Sequence, residues 1–318
     1  MNTTTETATA VHPLLALTYD RAVELLFVPP PEGTPLPRPV IDGGPARRLR
    51  DAIEPIALHA AWCRRTNDVL SRLGLRIATG YVWGRAAVLG EPPAEVVVSA
   101  FAWFEPALIT AAYEEARRQC GRAGLLAARE DATVESLAEV LEGVDVTRVV
   151  AVLRRALDAA DGTGRPLFSG LRALGWPDHP AGELWRACDL LREHRADGHV
   201  AVAISAGLGP VAMTVLTELW LGMSIGEHAM GWRGWSEADV ALAVADLERR
   251  GLVAGEALTP AGKRLRDRIE ERTDAMEQPV IDAIGDDLDA TIAALDAWST
   301  ACIDAGAFPP DMYKRATG

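Results

Sequence analysis

Apolar residues recur at helical spacing along most of the chain, and alternating strand-like runs are rare. Residues 1–12 are mostly small and polar and are expected to be disordered. In residues 13–28 (PLLALTYDRAVELLFV), Leu15, Tyr19, Val23, Leu26 and Phe27 fall close to one helical face. The run from Pro29 to Pro39 cannot sustain a helix or a central strand, so it is expected to be a loop. A long helix is predicted from Pro45 to Leu73, stopped by Gly74. After a turn at Gly90, Pro92 and Pro93, a buried helical pattern resumes from Ala94 to Tyr113. Residues 125–160 predict two amphipathic helices, the first capped by Asp131 or Thr133 and the second starting at Val146. The segment DGTGRPLFSG breaks the pattern. Helix returns from Gly182 to Arg195, bends at Asp197 and Gly198, and continues to Met223.

Residues 232–276 carry the sharpest local punctuation. Ser236 can cap a helix through Arg250, Gly251 can supply a left-handed stop, and LVAGEALT can form a two-stranded wing turning at Gly255. Thr259 then caps a helix that begins with Pro260, where the missing N–H costs nothing. This is the order of recognition helix, wing and following helix in a winged helix-turn-helix. An internal echo joins VLGEPPAEVVVSAFAWF, from Val88, to GLGPVAMTVLTELWLG, from Gly207; each sets a Leu-Gly turn and a proline before an apolar helix. A true duplication would make the chain a single-chain pseudodimer, whereas chance similarity between Ala- and Val-rich helices would produce the same echo. The expected fold is mainly α, with winged helix-turn-helix elements and small β-wings. An N-terminal half (13–160) and a C-terminal half (161–318) are expected to pack as one unit, since no flexible linker separates them.

Charge narrows the partners. Asp and Glu outnumber Lys and Arg by 45 to 32, a formal charge of −13, which opposes loose adhesion to nucleic acid or anionic lipid. Lys263 and Lys314 are the only lysines against 30 arginines, a bias that points to a high-G+C genome. Four dispersed cysteines without a CxxC pair suggest a reducing cytoplasm. The first residues lack a basic stretch, and no later run holds ~18 apolar residues, so neither export nor a membrane span is expected.

Three runs, GYVWGRAAVLG at Gly80, GRPLF with LWRACDLLREHRADGHVA between Gly164 and Ala201, and RGWSEADVALAVADLERRGLVAGEALTPAGKRLRDRIEERTD from Arg233, resemble an actinobacterial family of helix-turn-helix-like proteins akin to the MarR winged-helix regulators. The likeness runs from Pro45 to the end of the chain. It implies a largely helical fold with winged-helix elements and brings no defined reaction with it.

A winged helix reads DNA by placing the start of its recognition helix in the major groove. Here that helix sets Glu237, Asp239, Asp246 and Glu248 against Arg249 and Arg250, a net charge of −2 with acids at the entering end. DNA is therefore an unexpected partner, and the runner-up function is a MarR-like DNA-binding regulator.

The densest polar run in an apolar neighbourhood extends from Leu184 to His199. On a helix, Trp185, Asp189, Arg192 and Arg195 share a face with His199 one turn on. Arginine suits bidentate capture of a carboxylate, sulfate or phosphate, and histidine transfers protons near neutral pH. Candidate catalytic residues are His199 as proton carrier, Asp197 as its orienter or as a second carboxylate, and His194. Candidate binding residues are Arg192, Arg195 and Trp185, with His59, Tyr81 and Arg85 as a second wall and Trp232 and Arg233 as a third. The competing structural reading is an ion-paired helix in which Arg192 and Arg195 meet Asp189, Glu193 or Asp197. No metal site is expected, because His194 and His199 stand about 140° apart on a helix. GxSxG, P-loop and HExxH motifs are lacking, so no cofactor is expected. The composite expectation is a small-molecule-binding protein or cofactor-free enzyme of specialised metabolism. It would act on an anionic ligand by hydrolysis, elimination or intramolecular displacement, with a non-catalytic sequestering protein as an alternative and homo-oligomerisation left open.

Overall fold

The computed structural model describes residues 12–37 and 43–317, so the disorder expected of residues 1–11 lies outside the described residues. The helices are α1 (Tyr19–Leu26), α2 (Pro45–Ala57), α3 (His59–Trp62), α4 (Arg64–Arg72), α5 (Ile77–Ala86), α6 (Ala94–Phe101), α7 (Pro106–Gln119), α8 (Arg122–Val140) and α9 (Thr147–Asp158). They continue with α10 (Pro166–Arg172), α11 (Pro180–Ser205), α12 (Pro210–Leu221), α13 (Glu227–Gly231), α14 (Glu237–Arg249), α15 (Pro260–Met276), α16 (Gln278–Ile284), α17 (Leu288–Asp304) and α18 (Met312–Thr317). Strand β1 (Val253–Ala254) pairs antiparallel with β2 (Ala257–Leu258), Val253 opposite Leu258.

Helix α11 organises the molecule. It packs against α2, α8, α9, α10 and α15 and is buried at most positions all round, as a helix surrounded by protein must be. The largest apolar core joins α2, α9, the first half of α11, α16 and α17, and thus draws on both sides of residue 160. A second core lies within residues 70–125 plus Leu15, and a third within 202–269 around α12 and α14.

Local chemistry explains the segment 236–276. The Ser236 hydroxyl accepts the Asp239 N–H and the Asp239 carboxylate accepts the Ser236 N–H, a reciprocal cap. Gly251 at φ +68° ends the helix and Gly255 at φ +58° turns the hairpin. Thr259 accepts the Gly262 N–H at 3.1 Å and so caps α15 ahead of Pro260.

Elsewhere the helix boundaries differ from those expected. His12, placed in the disordered tail, is described and caps the short turn Pro13–Ala16. The helix expected over 45–73 is three, broken at Leu58 and Cys63. Pro55 lies inside α2 and offers no N–H to the Asp51 carbonyl four residues back. Asp131 and Thr133 lie inside α8 rather than at its start; the Thr133 hydroxyl donates to the Arg129 carbonyl at 2.6 Å. The bend expected at Asp197 and Gly198 is absent. Asp197 accepts the Phe168 N–H at 3.1 Å instead of competing for its own backbone, and α11 runs through. Among the described residues no single helix is long and apolar enough to cross a membrane.

Candidate functional site

Two adjoining chambers lie between α2, α5, α11, the α13–α14 connection and the C-terminal segment. The first, of about 160 Å³, is walled by apolar groups that include Leu58, Trp62, Tyr81, Phe104, Trp232 and Phe308. A cavity of that size accommodates a single aromatic ring or its aliphatic equivalent. The second, of about 80 Å³, is lined by seven arginines: Arg47, Arg50, Arg85, Arg192, Arg195, Arg233 and Arg266. Arg192, His228, Arg233 and Thr317 line both chambers and mark where they meet.

Six of the seven guanidiniums share five carboxylates. Arg85 meets Glu193 through two parallel bonds of 2.6 and 2.7 Å, and Arg192 bridges Glu54 at 3.2 Å and Glu193 at 3.0 Å. Arg195 reaches Glu270 at 2.6 Å and Asp274 at 2.7 Å. Arg266 joins the other Glu270 oxygen at 2.7 Å, and Arg47 lies 3.0 Å from Asp51 and 3.2 Å from Glu270. Arg50 pairs with Asp51 at 2.7 Å and Glu54 at 3.3 Å. Although burial opposes ionisation of Glu270, the guanidiniums of Arg195, Arg266 and Arg47 hold its carboxyl well below the usual range.

Arg233 differs from the other six. Among the described residues it has no carboxylate partner; its Nε donates to His228 Nε2 at 3.1 Å and its guanidinium lies 4.4 Å from the Phe104 ring centroid. Burial brings its pKa down to about 10, which leaves it a cation at neutral pH. Glu218, the remaining acid in the polar wall, is engaged by the N–H groups of Gly226, His228 and Ala229. The polar chamber therefore carries excess positive charge, and Arg195 Nε is buried without a hydrogen-bond partner. An anion entering here would find donors already in position and would relieve the excess.

His199 faces the polar chamber, its Nδ1 3.0 Å from the Thr273 hydroxyl and its ring against Trp103. Burial, reinforced by Arg266, pushes its pKa down to about 3, so the imidazole is neutral at neutral pH. Tyr81 and Trp232 line the apolar chamber, and Arg85 and Arg195 the polar one.

Four sequence candidates line neither chamber. Asp197 does not orient His199, because its carboxylate is committed to the Phe168 N–H of α10. His194 pairs with Glu277 at 2.8 Å and packs on Phe168. His59 meets the Ser136 hydroxyl at 2.9 Å, and burial pushes its pKa down to about 4. Trp185 is fully buried and donates to the Ala57 carbonyl at 3.2 Å.

Sequence reasoning missed Arg47, Arg50, Glu54, His228, Arg266 and the C-terminal wall. The α2 residues Arg47, Arg50, Asp51 and Glu54 follow i, i+3, i+4, i+7 spacing, a stripe that resembles a solvated face. Its signal lay in the flanking apolar positions, which leave that helix no side free of burial. Helix α18 closes both chambers with Lys314, Ala316 and Thr317. Its Arg315 Nε donates to the Asp51 carbonyl that Pro55 leaves free, while Arg47 donates to the Ala316 carbonyl at 2.8 Å and Arg50 to that of Arg315.

No curated protein and no solved structure matches the chain. A family model described as a helix-turn-helix family matches residues 46–309, and on that match the chain belongs to this helix-turn-helix family.

Proposed function

We propose that this helix-turn-helix protein binds a small amphipathic anion, with an apolar body in the larger chamber and its charge against Arg192, Arg195 and Arg233. The observation that carries the reading is the junction of an apolar cavity with one lined by seven arginines, six of them paired with carboxylates and one, among the described residues, without. Interior cations persist when paired or when ligated, and Arg233 lacks the pair. The neutral imidazole of His199 lines the polar chamber as a hydrogen-bonding group for the ligand and adds no charge of its own.

In this reading residues 210–276 form a winged helix-turn-helix serving as scaffold. The exposed face of α14 presents Glu237, Ala238, Ala241, Leu242, Ala245, Glu248 and Arg249, so its one cation stands at the C-terminal end, away from the end that would enter a groove. Its basic residues Arg249 and Arg250 are turned to Asp246 at 2.7 and 3.4 Å. The family assignment favours the rival reading, a DNA-binding regulator that senses the same ligand.

Calorimetry with benzoate and benzamide tests the ligand class, since the two differ chiefly in charge. Benzoate is expected to bind at least roughly tenfold tighter, a charge-assisted contribution of about 1.4 kcal/mol or more. Equal affinities would remove the anion reading. A mobility-shift titration against the upstream DNA of its own gene is expected to show no discrete complex, and a salt-resistant complex would restore the regulator.

A further inference from the structure

We infer that Lys314 is a carbonyl-capturing residue: its amine condenses with the aldehyde or keto group of a ligand seated in the apolar chamber, while Arg233 holds that ligand's carboxylate. The inference rests on the ligand-binding reading above and names the chemical class of the ligand.

The two lysines of the chain have opposite surroundings. Lys263 meets Asp267 at 2.5 Å on the surface of α15. Lys314 lines the apolar chamber with its Nζ 3.7 Å from the centroid of the Trp232 ring and 5.9 Å from that of Trp62. Among the described residues no carboxylate lies within ion-pair distance of it. Arg233 and His228 line the same chamber, and the more distant Asp311 and Glu227 offset only part of the effect of burial. The amine's pKa is pushed down to about 7, so a large share is uncharged at neutral pH, the state an amine needs to attack a carbonyl carbon. A chamber with a desolvated amine, an aromatic floor and a guanidinium free of carboxylates suits an aromatic or short aliphatic oxo acid.

The step balances without a further reagent. The Nζ lone pair bonds to the carbonyl carbon, giving a carbinolamine; the former carbonyl oxygen then leaves as water with the two protons the amine gives up. The product is an imine between Nζ and the ligand carbon, in which nothing has been oxidised or reduced.

The test uses the full chain, 4-formylbenzoate and cyanoborohydride at pH 7, with adducts mapped by peptide mass spectrometry. Lys263 and the α-amino group are internal competitors. Lys314 is expected to be labelled at least about tenfold faster than Lys263. Excess benzoate should slow that labelling, and Lys314→Arg should abolish it while the far-UV dichroism stays unchanged. Should the variant fail to fold, the ratio of labelling within the native chain decides the matter alone. Comparable labelling of both lysines, or labelling of Lys314 that benzoate does not slow, overturns the inference. Tight benzoate binding with no Lys314 adduct overturns the imine while leaving the anion site standing; neither binding nor adduct removes both.

Discussion

Helices α11 and α14 are both rich in charge, yet they use it in opposite ways. On α14 the charges face solvent and settle within one or two turns: Asp246 takes Arg249 and Arg250, and Asp239 caps the helix at Ser236. On α11 most charges are buried, and beside the adjacent Arg192–Glu193 contact their partners come from far along the chain, Glu54 for Arg192, Glu270 and Asp274 for Arg195, Arg85 for Glu193. Locally settled charges keep a helix in water and leave little for a ligand. Charges taken inside must be balanced group by group, and among the seven arginines of the polar chamber the one with no carboxylate partner among the described residues, Arg233, lies where the two chambers meet.

The largest expected contrast is in stability. Arg192→Met leaves Glu54 and Glu193 buried beside a lost partner and should cost about 3–5 kcal/mol in urea unfolding. Arg249→Ala, on the exposed end of α14, should shift the midpoint little, because exposed pairs contribute little. Similar midpoints for the two variants would end the comparison.

Arg233→Met sharpens it. Removing a guanidinium that no carboxylate balances should leave the unfolding midpoint nearly unchanged, yet weaken benzoate binding by roughly tenfold or more. A large stability loss with unchanged binding would make Arg233 a structural residue.

Region 236–276 should yield to local changes. A Cβ on Gly262 would stand 1.9 Å from the Leu252 carbonyl oxygen, so Gly262→Ala must push the β-hairpin away from α15, at about 1–3 kcal/mol. Ser236→Ala removes the reciprocal cap and should cost about 1 kcal/mol. Both are readable as midpoint shifts, and benzoate affinity should survive each, since neither residue lines a chamber.

The same contrast governs what was legible in the sequence. Caps, left-handed glycines and an N-terminal proline act over a few residues, so the elements of 236–276 could be placed from Ser236, Gly251, Gly255, Thr259 and Pro260 alone. The arginine–histidine run of α11 was visible as charge in an apolar setting, and Arg192, Arg195 and His199 do line the polar chamber. Their counter-ions were not visible, because Glu54 and Glu270 approach only through tertiary packing of α2 and α15 on α11. Asp197 and His194 misled for a related reason: neighbours in sequence on a helix surrounded by protein face different layers, here α10 and the Glu277 turn. Lys314 gave no sequence signal beyond its rarity.

The pH dependence of stability is a net effect, because buried groups on and around α11 oppose one another. His199 has a folded pKa of about 3 against an ordinary 6.5, so the native state binds fewer protons than the unfolded chain between those values. Its contribution is complete above pH 6.5 and is lost as pH falls toward 3. His59, at about 4, and His228, which burial beside Arg233 also holds well below the ordinary value, act in the same sense. Asp197 runs the other way: burial lifts its pKa from 3.8 to about 6, so the native carboxyl holds its proton where the unfolded one has lost it. That contribution is present below pH 3.8 and disappears as pH rises through 6. Asp189, Glu218 and Asp274, which burial also raises, act alongside Asp197; the downward shifts of His199 to about 3, of His59 to about 4 and of His228 should outweigh them between pH 6.5 and 4, and stability should decline on acidification. His199→Gln should flatten the decline and Asp197→Asn should steepen it, as followed by urea midpoints at half-unit pH steps. A change of the same sign in both variants would show that the charges inside α11 do not titrate as separate groups, and that the network moves protons as one unit.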